Sequence, residues 1–295
     1  MHDNQRTVLI TGCTDGSAGS SLARQFQRRG CRVFAAARSL DKMQSLADLD
    51  GVDRLAMDVT SAAQIAAAVD VVRAATGGGG RLDVLVNNAA AFNLMPLADQ
   101  NLDDARAMFD VNVFGPLAVV QAFLPLLLAA TSTSSSSSGS RPVVANIGSV
   151  SAAAEPVFQG AYAASKAALS AMSGVLRKEL APLNIRVATV VSGAVATGFK
   201  AGNPAWKVPT ETSLYAALAG AVESKESAGP AGAMSPDDYA ARVVGDLLGA
   251  NPGPAIYRGR FASLVWLMGW LGWYGMTDAM DIKKNGLDKL KPEGS

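Results

Sequence analysis

The sequence has few of the side chains on which many hydrolases and metalloenzymes depend. Its 295 residues include one histidine, His2, and two cysteines, Cys13 and Cys31. A Ser-His-Asp hydrolase and a histidine-rich metal centre are therefore excluded, and we expect no metal site. Two cysteines are also too few for a disulfide framework, which favours a reducing, cytoplasmic environment.

An excess of charge of one sign is also lacking. The 26 Lys and Arg residues nearly balance the 25 Asp and Glu residues, for a formal net charge of +1. This balance offers no electrostatic attraction for nucleic acid, so we expect no nucleic-acid partner. Residues 1–12 enter a strand pattern at once and show no signal peptide. Hydrophobic residues make up 49% of the chain, which is enough for one large core.

Short apolar runs alternate with helical stretches over residues 1–260. This alternation is typical of a doubly wound parallel sheet with helices on both faces, the three-layer α/β fold of Rossmann type. We expect 131–141, which is almost pure Ser and Thr, to be a disordered insertion, and the loop-rich 193–235 to be a substrate lid. The predicted strands are Thr7–Ile10, Arg32–Ala37, Arg54–Asp58, Leu82–Val86, a fifth around Val143–Ile147, Ile185–Val191 and Ala255–Tyr257, and the longer predicted helices are Ala62–Ala75, Asp103–Ala130 and 161–180.

A glycine-rich turn follows the first predicted strand. In TGCTDGSAG the glycines stand at 12, 16 and 19, and a helical stretch that ends at Gly30 comes next. Glycine lets the backbone approach a pyrophosphate closely, and a helix N-terminus supplies N–H donors and a partial positive charge. A glycine triad alone is commonly only a turn, but its place between a strand and a helix predicts nucleotide binding.

The residues at the end of the second predicted strand favour NADPH over NADH. A sheet that prefers NAD carries an acidic side chain here to hold the ribose 2′-hydroxyl, whereas this chain has Ala37 followed by Arg38. The guanidinium of Arg38 suits a 2′-phosphate, although a solvated loop cation has the same appearance in sequence. Ligands in such sheets bind at the carboxyl ends of the strands, where we expect Gly12–Gly19, Arg38, Asp58, Asn88 and Ser149.

Three side chains are the candidate catalytic residues. Tyr162 and Lys166 are i and i+4 on a predicted helix, so both project from one face. A cation beside a phenol favours the phenolate, which predicts a lowered pKa for Tyr162 and a role as general acid or base. The hydroxyl of Ser149, at the end of the preceding strand, is placed to polarise a substrate oxygen. The alternative interpretation is a surface pair on an amphipathic helix.

Together these motifs resemble the short-chain dehydrogenase/reductase family, over residues 7 to about 258. More narrowly, the chain is similar to a fungal branch of acyl-dihydroxyacetone-phosphate reductases and reductases of secondary metabolism. The resemblance implies an acid/base Tyr162, a carbonyl-holding Ser149, a ribose-binding Lys166 and an Asn112 that anchors a relay water. It implies cofactor contacts at Gly12, Thr14, Asp15, Gly16, Gly19, Arg38, Asp58, Val59, Asn88, Tyr162, Lys166 and Thr197.

The chain departs from the family pattern at three places. One more residue than usual separates Gly16 from Gly19, so the phosphate contacts are expected to shift. Ala90 stands where the family has glycine, which requires a backbone conformation that alanine tolerates. Ser192 replaces the proline of a Pro-Gly pair, which is expected to loosen the loop on the nicotinamide side. No departure removes a catalytic group, so we expect an active enzyme.

The resemblance implies an NADPH-dependent carbonyl reductase that acts on a small-molecule carbonyl or alcohol. The scarcity of charge in the lid favours an apolar or mid-sized substrate. Two alternatives stay open: a non-catalytic nucleotide- or lipid-binding protein attached to a membrane, and a lyase or isomerase on the same fold.

The C-terminal extension 261–295 begins with an apolar, aromatic run. Trp266, Trp270, Trp273 and Tyr274 recur on one helical face, so 261–280 is predicted to be an amphipathic helix. It is expected to contact a membrane surface as a peripheral anchor, a lipid substrate, the active-site entrance or a second subunit. A homodimer or homotetramer is expected through 112–130 and 160–180, where the second helix carries a small-residue stripe of Ala163, Ala167, Ser170 and Gly174.

Overall fold

Seven strands form one parallel sheet, as the alternating pattern predicts. The computed structural model describes residues 5–77, 80–133, 141–197, 213–220, 232–249, 253–271, 275 and 278–290. The strands are β1 (Thr7–Thr11), β2 (Arg32–Ala37), β3 (Val52–Ala56), β4 (Val84–Asn87), β5 (Val143–Ser149), β6 (Arg186–Ser192) and β7 (Ala255–Arg258). Their order in the sheet is β3-β2-β1-β4-β5-β6-β7, with every neighbouring pair parallel. This is the doubly wound arrangement of the prediction.

Helices cover both faces of the sheet. The α-helices are α1 (Ala18–Arg28), α2 (Ala62–Thr76), α3 (Leu102–Phe109), α4 (Gly115–Thr133), α5 (Ser151–Ala154), α6 (Gly160–Leu180), α7 (Pro236–Leu248), α8 (Ala262–Leu271) and α9 (Asp278–Lys284). Helices α1 and α7 bury their apolar side chains on one face, and α2, α4 and α6 do so on the other. On β1, Val8 and Ile10 join the first cluster and Leu9 joins the second. Because successive strand side chains point to opposite faces, a strand covered on both sides is apolar throughout.

The third strand begins and ends two residues earlier than predicted. It covers Val52–Ala56 rather than Arg54–Asp58. The carboxylate of Asp58 accepts hydrogen bonds from the backbone N and the hydroxyl of Thr60, at 2.9 and 2.8 Å. This Asx turn leads the chain from the strand into α2, whose N-cap is Ser61.

The long helical stretch after residue 101 is irregular around Asn112. Asp110–Phe114 form a π-helical turn between α3 and α4, and Pro125 lies within α4. Helix α4 continues to Thr133, so the predicted insertion 131–141 starts too early; residues 134–140 lie outside the described residues.

By length and composition, the helical stretch Leu102–Thr131 is long and apolar enough to cross a membrane. Half of its most apolar window is nevertheless buried inside the protein. Val119, Phe123 and Leu127 have no exposed surface and pack in the core. Their burial explains the apolar composition of α4 as that of a core helix.

The C-terminal extension contains two short helices, α8 and α9, instead of one helix over 261–280. Gly275, between them, has a positive φ of 76°. The side chains of the predicted aromatic face (Trp266, Trp270, Trp273 and Tyr274) lie outside the described residues.

Candidate active site

The glycine turn after β1 is closed so tightly that two of its positions accept only glycine. Gly12 has a φ of 75°, and a Cβ there would lie 2.7 Å from the Cα of Ala89. A Cβ on Gly19 would lie 2.4 Å from the carbonyl oxygen of Gly12. Ser17 caps α1, accepting a hydrogen bond from the backbone N of Ser20 at 3.1 Å. The additional residue between Gly16 and Gly19 therefore leaves a closed turn that ends on a capped helix N-terminus, the geometry that receives a phosphate.

Asn88 holds this turn in place. Its Nδ2 donates to the carbonyl oxygens of Thr11 and Gly12, at 2.8 and 3.0 Å. The Thr11 hydroxyl oxygen accepts hydrogen bonds from the backbone N of Asn88 and of Ala89, both at 3.0 Å. Ala90 does not have a positive φ, so alanine fits at this position without strain. The predicted cofactor residue Asn88 is therefore also the support of the glycine turn.

The structure places Arg38 exposed at the end of β2, and within the described chain no carboxylate forms a salt bridge with it. Asp15 is engaged elsewhere: its carboxylate accepts from the backbone N of Gln44 and of Ser45, at 2.9 and 3.1 Å. It thereby holds the 3₁₀ segment Leu40–Leu46 that follows Arg38. Arg38 is thus an exposed cation at this edge of the sheet.

The remaining predicted cofactor residues lie around the same edge. Val59 is 7% exposed, and its Cγ2 would lie 2.8 Å from a Cβ on Gly115. Asp58 is partly buried and bonded to Thr60. Thr14 is exposed within the glycine turn, and Thr197 donates its backbone N–H to Val195 O at 2.9 Å.

Tyr162 is held at the carboxyl end of β5 by two contacts. Its hydroxyl is hydrogen-bonded to the side chain of Ser149. The ring meets Phe92 edge to face, with centroids 4.9 Å apart and planes at 84°. Burial raises the pKa of Tyr162 to about 12, against the opposing effect of the Ser149 hydrogen bond. The predicted lowering of the pKa by the neighbouring lysine is therefore wrong for the protein alone, in which the phenol is a proton donor at neutral pH.

Lys166 is buried beside Tyr162 but bonds to the strand rather than to the phenol. Its Nζ donates to the carbonyl oxygen of Ile147 at 2.8 Å and lies 5.8 Å from the centroid of the Tyr162 ring. Only 2% of Lys166 is exposed, and burial lowers its pKa to about 8. An ammonium that loses its proton this readily is a reservoir for proton exchange near pH 8.

The lowered pKa of Lys166 predicts a pH-dependent stability. The folded pKa is about 8 against an ordinary 10.5, so between these values the unfolded chain binds a proton that the folded chain does not. Stability from this group therefore rises with pH over that window, by about 3 kcal/mol in all. We expect the free energy of unfolding of the wild type to rise relative to that of Lys166→Met between pH 8 and 10.5. A constant difference in urea titrations across this range would contradict the assignment.

Asn112 is completely buried in the π-helical turn and ties three elements together. Its Oδ1 accepts from the backbone N of Ala91 at 2.7 Å, and its Nδ2 donates to Ala91 O and to the hydroxyl of Ser165, both at 2.9 Å. Ser165 in turn donates to the carbonyl oxygen of Tyr162 at 2.7 Å. Both amide hydrogens are thus committed, and the side chain acts on the position of Tyr162 through Ser165. No sequence motif points to Ser165, although it lies one helical turn after Tyr162.

A second hydroxyl–phenol pair lies beside Ser149 and Tyr162. Ser192 on β6 is the register partner of Ser149, and its Oγ lies 2.6 Å from the hydroxyl of Tyr239. Tyr239 is 1% exposed; burial raises its pKa to about 12, and the phenol of Tyr162 also raises it. The sequence had no motif for this pair, because Ser192 and Tyr239 come together only through the packing of α7.

The loop after β6 is therefore held rather than loosened by the change from Pro-Gly to Ser-Gly. Tyr239 fixes the side chain of Ser192. The next residue, Gly193, packs so closely on the chain that a Cβ would lie 2.0 Å from the carbonyl oxygen of Arg260.

An apolar cluster adjoins the phenol of Tyr162. Its buried members come from the loop after β4, the loop before α6 and the segment 213–220. Val157, Tyr162 and Tyr215 are partly exposed and pack against it. The ring of Tyr162 thus adjoins an apolar cluster, with buried members Phe92, Leu94, Met95, Phe158 and Leu218.

A family model described as short chain dehydrogenase matches residues 6–208. Short-chain dehydrogenase ptmH of Penicillium ochrochloron is 39% identical over 284 residues, which cover 96% of this chain and 99% of that protein. Short-chain dehydrogenase PC-15 of Penicillium crustosum is 41% identical over 89% of this chain and 91% of that protein. The chain therefore belongs to the short-chain dehydrogenase family of oxidoreductases, and these relatives are fungal, in agreement with the resemblance seen in sequence.

Solved structures show the same fold. A short-chain dehydrogenase from Streptomyces avermitilis superposes with a TM-score of 0.75 at 24% identity, over 96% of this chain and 99% of that one. A short chain dehydrogenase from Burkholderia cenocepacia, in complex with NADP, gives a TM-score of 0.68 at 22% identity, over 96% and 98% of the two chains.

Proposed function

We propose that this protein is an NADPH-dependent carbonyl reductase with Tyr162 as its general acid. The observation that carries the proposal is the protonated, half-buried phenol, bonded to Ser149 at the same sheet edge as the glycine turn. A phenol whose pKa lies well above neutrality holds the proton that a ketone oxygen needs when it becomes an alcohol.

The residues present fit the cofactor. Gly12 and Gly19 permit the closed turn, the N-terminus of α1 adjoins that turn, and Arg38 offers a cation to the 2′-phosphate. Bound NADPH supplies the hydride. Relatives of known structure bind either form of the nicotinamide cofactor: some are complexes with NADP and one is a complex with NADH. The preference for NADPH therefore rests on Arg38 and Ala37.

Each catalytic side chain has a proposed task that follows from its contacts. Ser149 donates a hydrogen bond to the substrate oxygen and orients it toward Tyr162, which delivers the proton. Lys166 replenishes that proton and binds the nicotinamide ribose. Asn112 holds Tyr162 in position through Ser165.

The substrate is proposed to be an apolar ketone, because the side chains beside Tyr162 are aromatic and aliphatic. The fungal relatives are named only as short-chain dehydrogenases. A ketone of secondary metabolism or a lipid-like ketone would match the apolar side chains beside Tyr162. We also propose a cytoplasmic location.

The test is consumption of NADPH by the purified protein across a panel of ketones and aldehydes. Turnover of apolar ketones, absent in Tyr162→Phe, supports the proposal. NADPH binding without turnover of any carbonyl points to the non-catalytic alternative, and turnover without net oxidation of NADPH points to a lyase or isomerase.

Membrane contact of the C-terminal extension is a second candidate role. Leu264 and Leu267 on α8 are 51% and 44% exposed, and Met280 on α9 is 60% exposed. Exposed apolar side chains of this kind suit the interface of a bilayer. Flotation with liposomes, compared between the wild type and Leu264→Glu/Leu267→Glu, tests this role.

A homo-oligomer is proposed through α4 and α6. Of the predicted contact stripe, Ala163 is buried at 8% exposure and Ala167 is exposed, and Ala164 and Ala171 are exposed small residues near it. Val175 continues this stripe and is 51% exposed. Small side chains let a second helix approach closely.

We expect a dimer or tetramer by light scattering at micromolar concentration. Ala167→Arg/Ala171→Arg is expected to shift it to the monomer, because two guanidinium groups cannot be buried without partners. Val71→Arg, at an equally accessible position on α2, is the control. A monomeric wild type would rule out this assembly.

A further inference from the structure

The last described residues of the chain reach the apolar cluster beside Tyr162. Leu287 and Leu290, which follow α9, both pack against the cluster that contains Phe92 and Leu218. The C-terminal segment 285–290 therefore packs against the same apolar cluster as Tyr162, although the segment lies more than 120 residues after Tyr162 in sequence.

A sharp turn directs the segment onto the cluster. Asn285 is 6% exposed, and its Nδ2 donates to the carbonyl oxygen of Asp281 at 2.6 Å. Gly286 follows with a φ of 74°, a conformation that favours glycine. A Cβ on Gly286 would lie 3.3 Å from Cδ2 of Leu218, so the backbone itself passes against that leucine. The end of α9 is thus shaped for contact with Leu218.

Leu218 is in turn tethered to the loop after β4. The hydroxyl of Ser213 donates to the carboxylate of Asp99 at 2.5 Å and accepts from the backbone N of Tyr215 at 2.9 Å. These bonds fix the short segment 213–220 on the loop that carries Phe92. The tail, segment 213–220, the Phe92 loop and Tyr162 therefore all pack against one apolar cluster.

We propose that Leu287 and Leu290 form the outer wall of the substrate site and select ketones with an apolar ring or chain next to the carbonyl. This inference rests on the proposed reductase function and goes beyond it by naming the residues that set the substrate class. A wall of two leucines contributes contact area only to a substrate large enough to reach it. A small ketone meets Ser149 and Tyr162 without touching it.

The test compares Leu287→Ala/Leu290→Ala with the wild type on two ketones, the fused-ring 2-tetralone and the small butane-2,3-dione. We expect kcat/KM for 2-tetralone to fall about tenfold, mainly through KM, since a few methylene groups in an apolar pocket discriminate about 10–200-fold. Turnover of butane-2,3-dione is expected to stay within about twofold of the wild type, because its contacts are unchanged. Met280→Ala/Ile282→Ala, two exposed positions on α9, is the matched control.

A volume-conserving variant separates packing from folding. Leu287→Met/Leu290→Met keeps the apolar bulk and is expected to restore the affinity for 2-tetralone. Equal kcat/KM losses for both ketones, or no loss for 2-tetralone, would overturn the proposal. The dissociation constant of 2-tetralone, measured by calorimetry, distinguishes the two levels of inference. If 2-tetralone binds about tenfold more weakly to the alanine variant, Leu287 and Leu290 line the substrate site even where no ketone is reduced. An unchanged dissociation constant would reject the proposal.

Discussion

Tyr162→Phe is expected to lower kcat for ketone reduction by about 10²–10⁴. In the proposed reaction the phenol is the proton donor, its raised pKa keeps it protonated, and the described active-site edge holds no histidine to replace it. Phenylalanine keeps the edge-to-face contact with Phe92 and loses only the hydrogen bond to Ser149. We therefore expect a stability loss of about 1 kcal/mol in addition to the loss of kcat. Steady-state kinetics and a thermal melt measure both quantities.

The matched control for this variant is Tyr257→Phe. Tyr257 lies on β7 and is partly buried, but it has no place in the proposed proton transfer. Removal of the Tyr257 hydroxyl in this variant should leave kcat nearly unchanged. Near-full turnover in folded Tyr162→Phe would refute the assignment of the general acid.

Arg38→Ala is expected to weaken NADPH binding by about 10- to 100-fold, while NADH binding changes little. A charge-assisted hydrogen bond between a guanidinium and a phosphate contributes about 1.5–3 kcal/mol, and only NADPH carries the 2′-phosphate. Arg38 is exposed at the end of β2, so its removal leaves no cavity in the core. Fluorescence titration with each cofactor gives the two dissociation constants without any need for a substrate.

Arg28→Ala provides the comparison. Arg28 ends α1 and is exposed like Arg38, but it lies at the opposite end of that helix from the glycine turn. Arg28→Ala should weaken the binding of NADPH and of NADH equally and only slightly, because an exposed charge at this distance is largely screened. If Arg38→Ala also weakens both cofactors by the same factor, Arg38 does not read the 2′-phosphate.

The sequence determined the layered fold because its patterns are local. Arg32–Ala37 is observed as predicted, and the helix predicted over 161–180 begins one residue earlier, at Gly160. A continuous apolar run bounded by turns specifies a strand covered on both faces, whatever surrounds it. The glycine turn could also be recognised from the sequence, because the close backbone packing at Gly12 and Gly19 admits no other residue. Likewise, Tyr162 and Lys166 share a helix face because of the helical period alone.

Only the tertiary structure decided the electrostatics and the partners of these residues. The i, i+4 spacing of Tyr162 and Lys166 predicted a lowered tyrosine pKa, but burial raises it, and the lysine bonds to Ile147 instead. Spacing along one helix contains no information on how deeply the two groups are buried, and desolvation depends on that depth. The pairing of Ser192 with Tyr239 and the contact of Leu287 with the apolar cluster have the same origin. They join segments that are distant in sequence, and no local pattern encodes a contact that forms only when the sheet and its helices pack together.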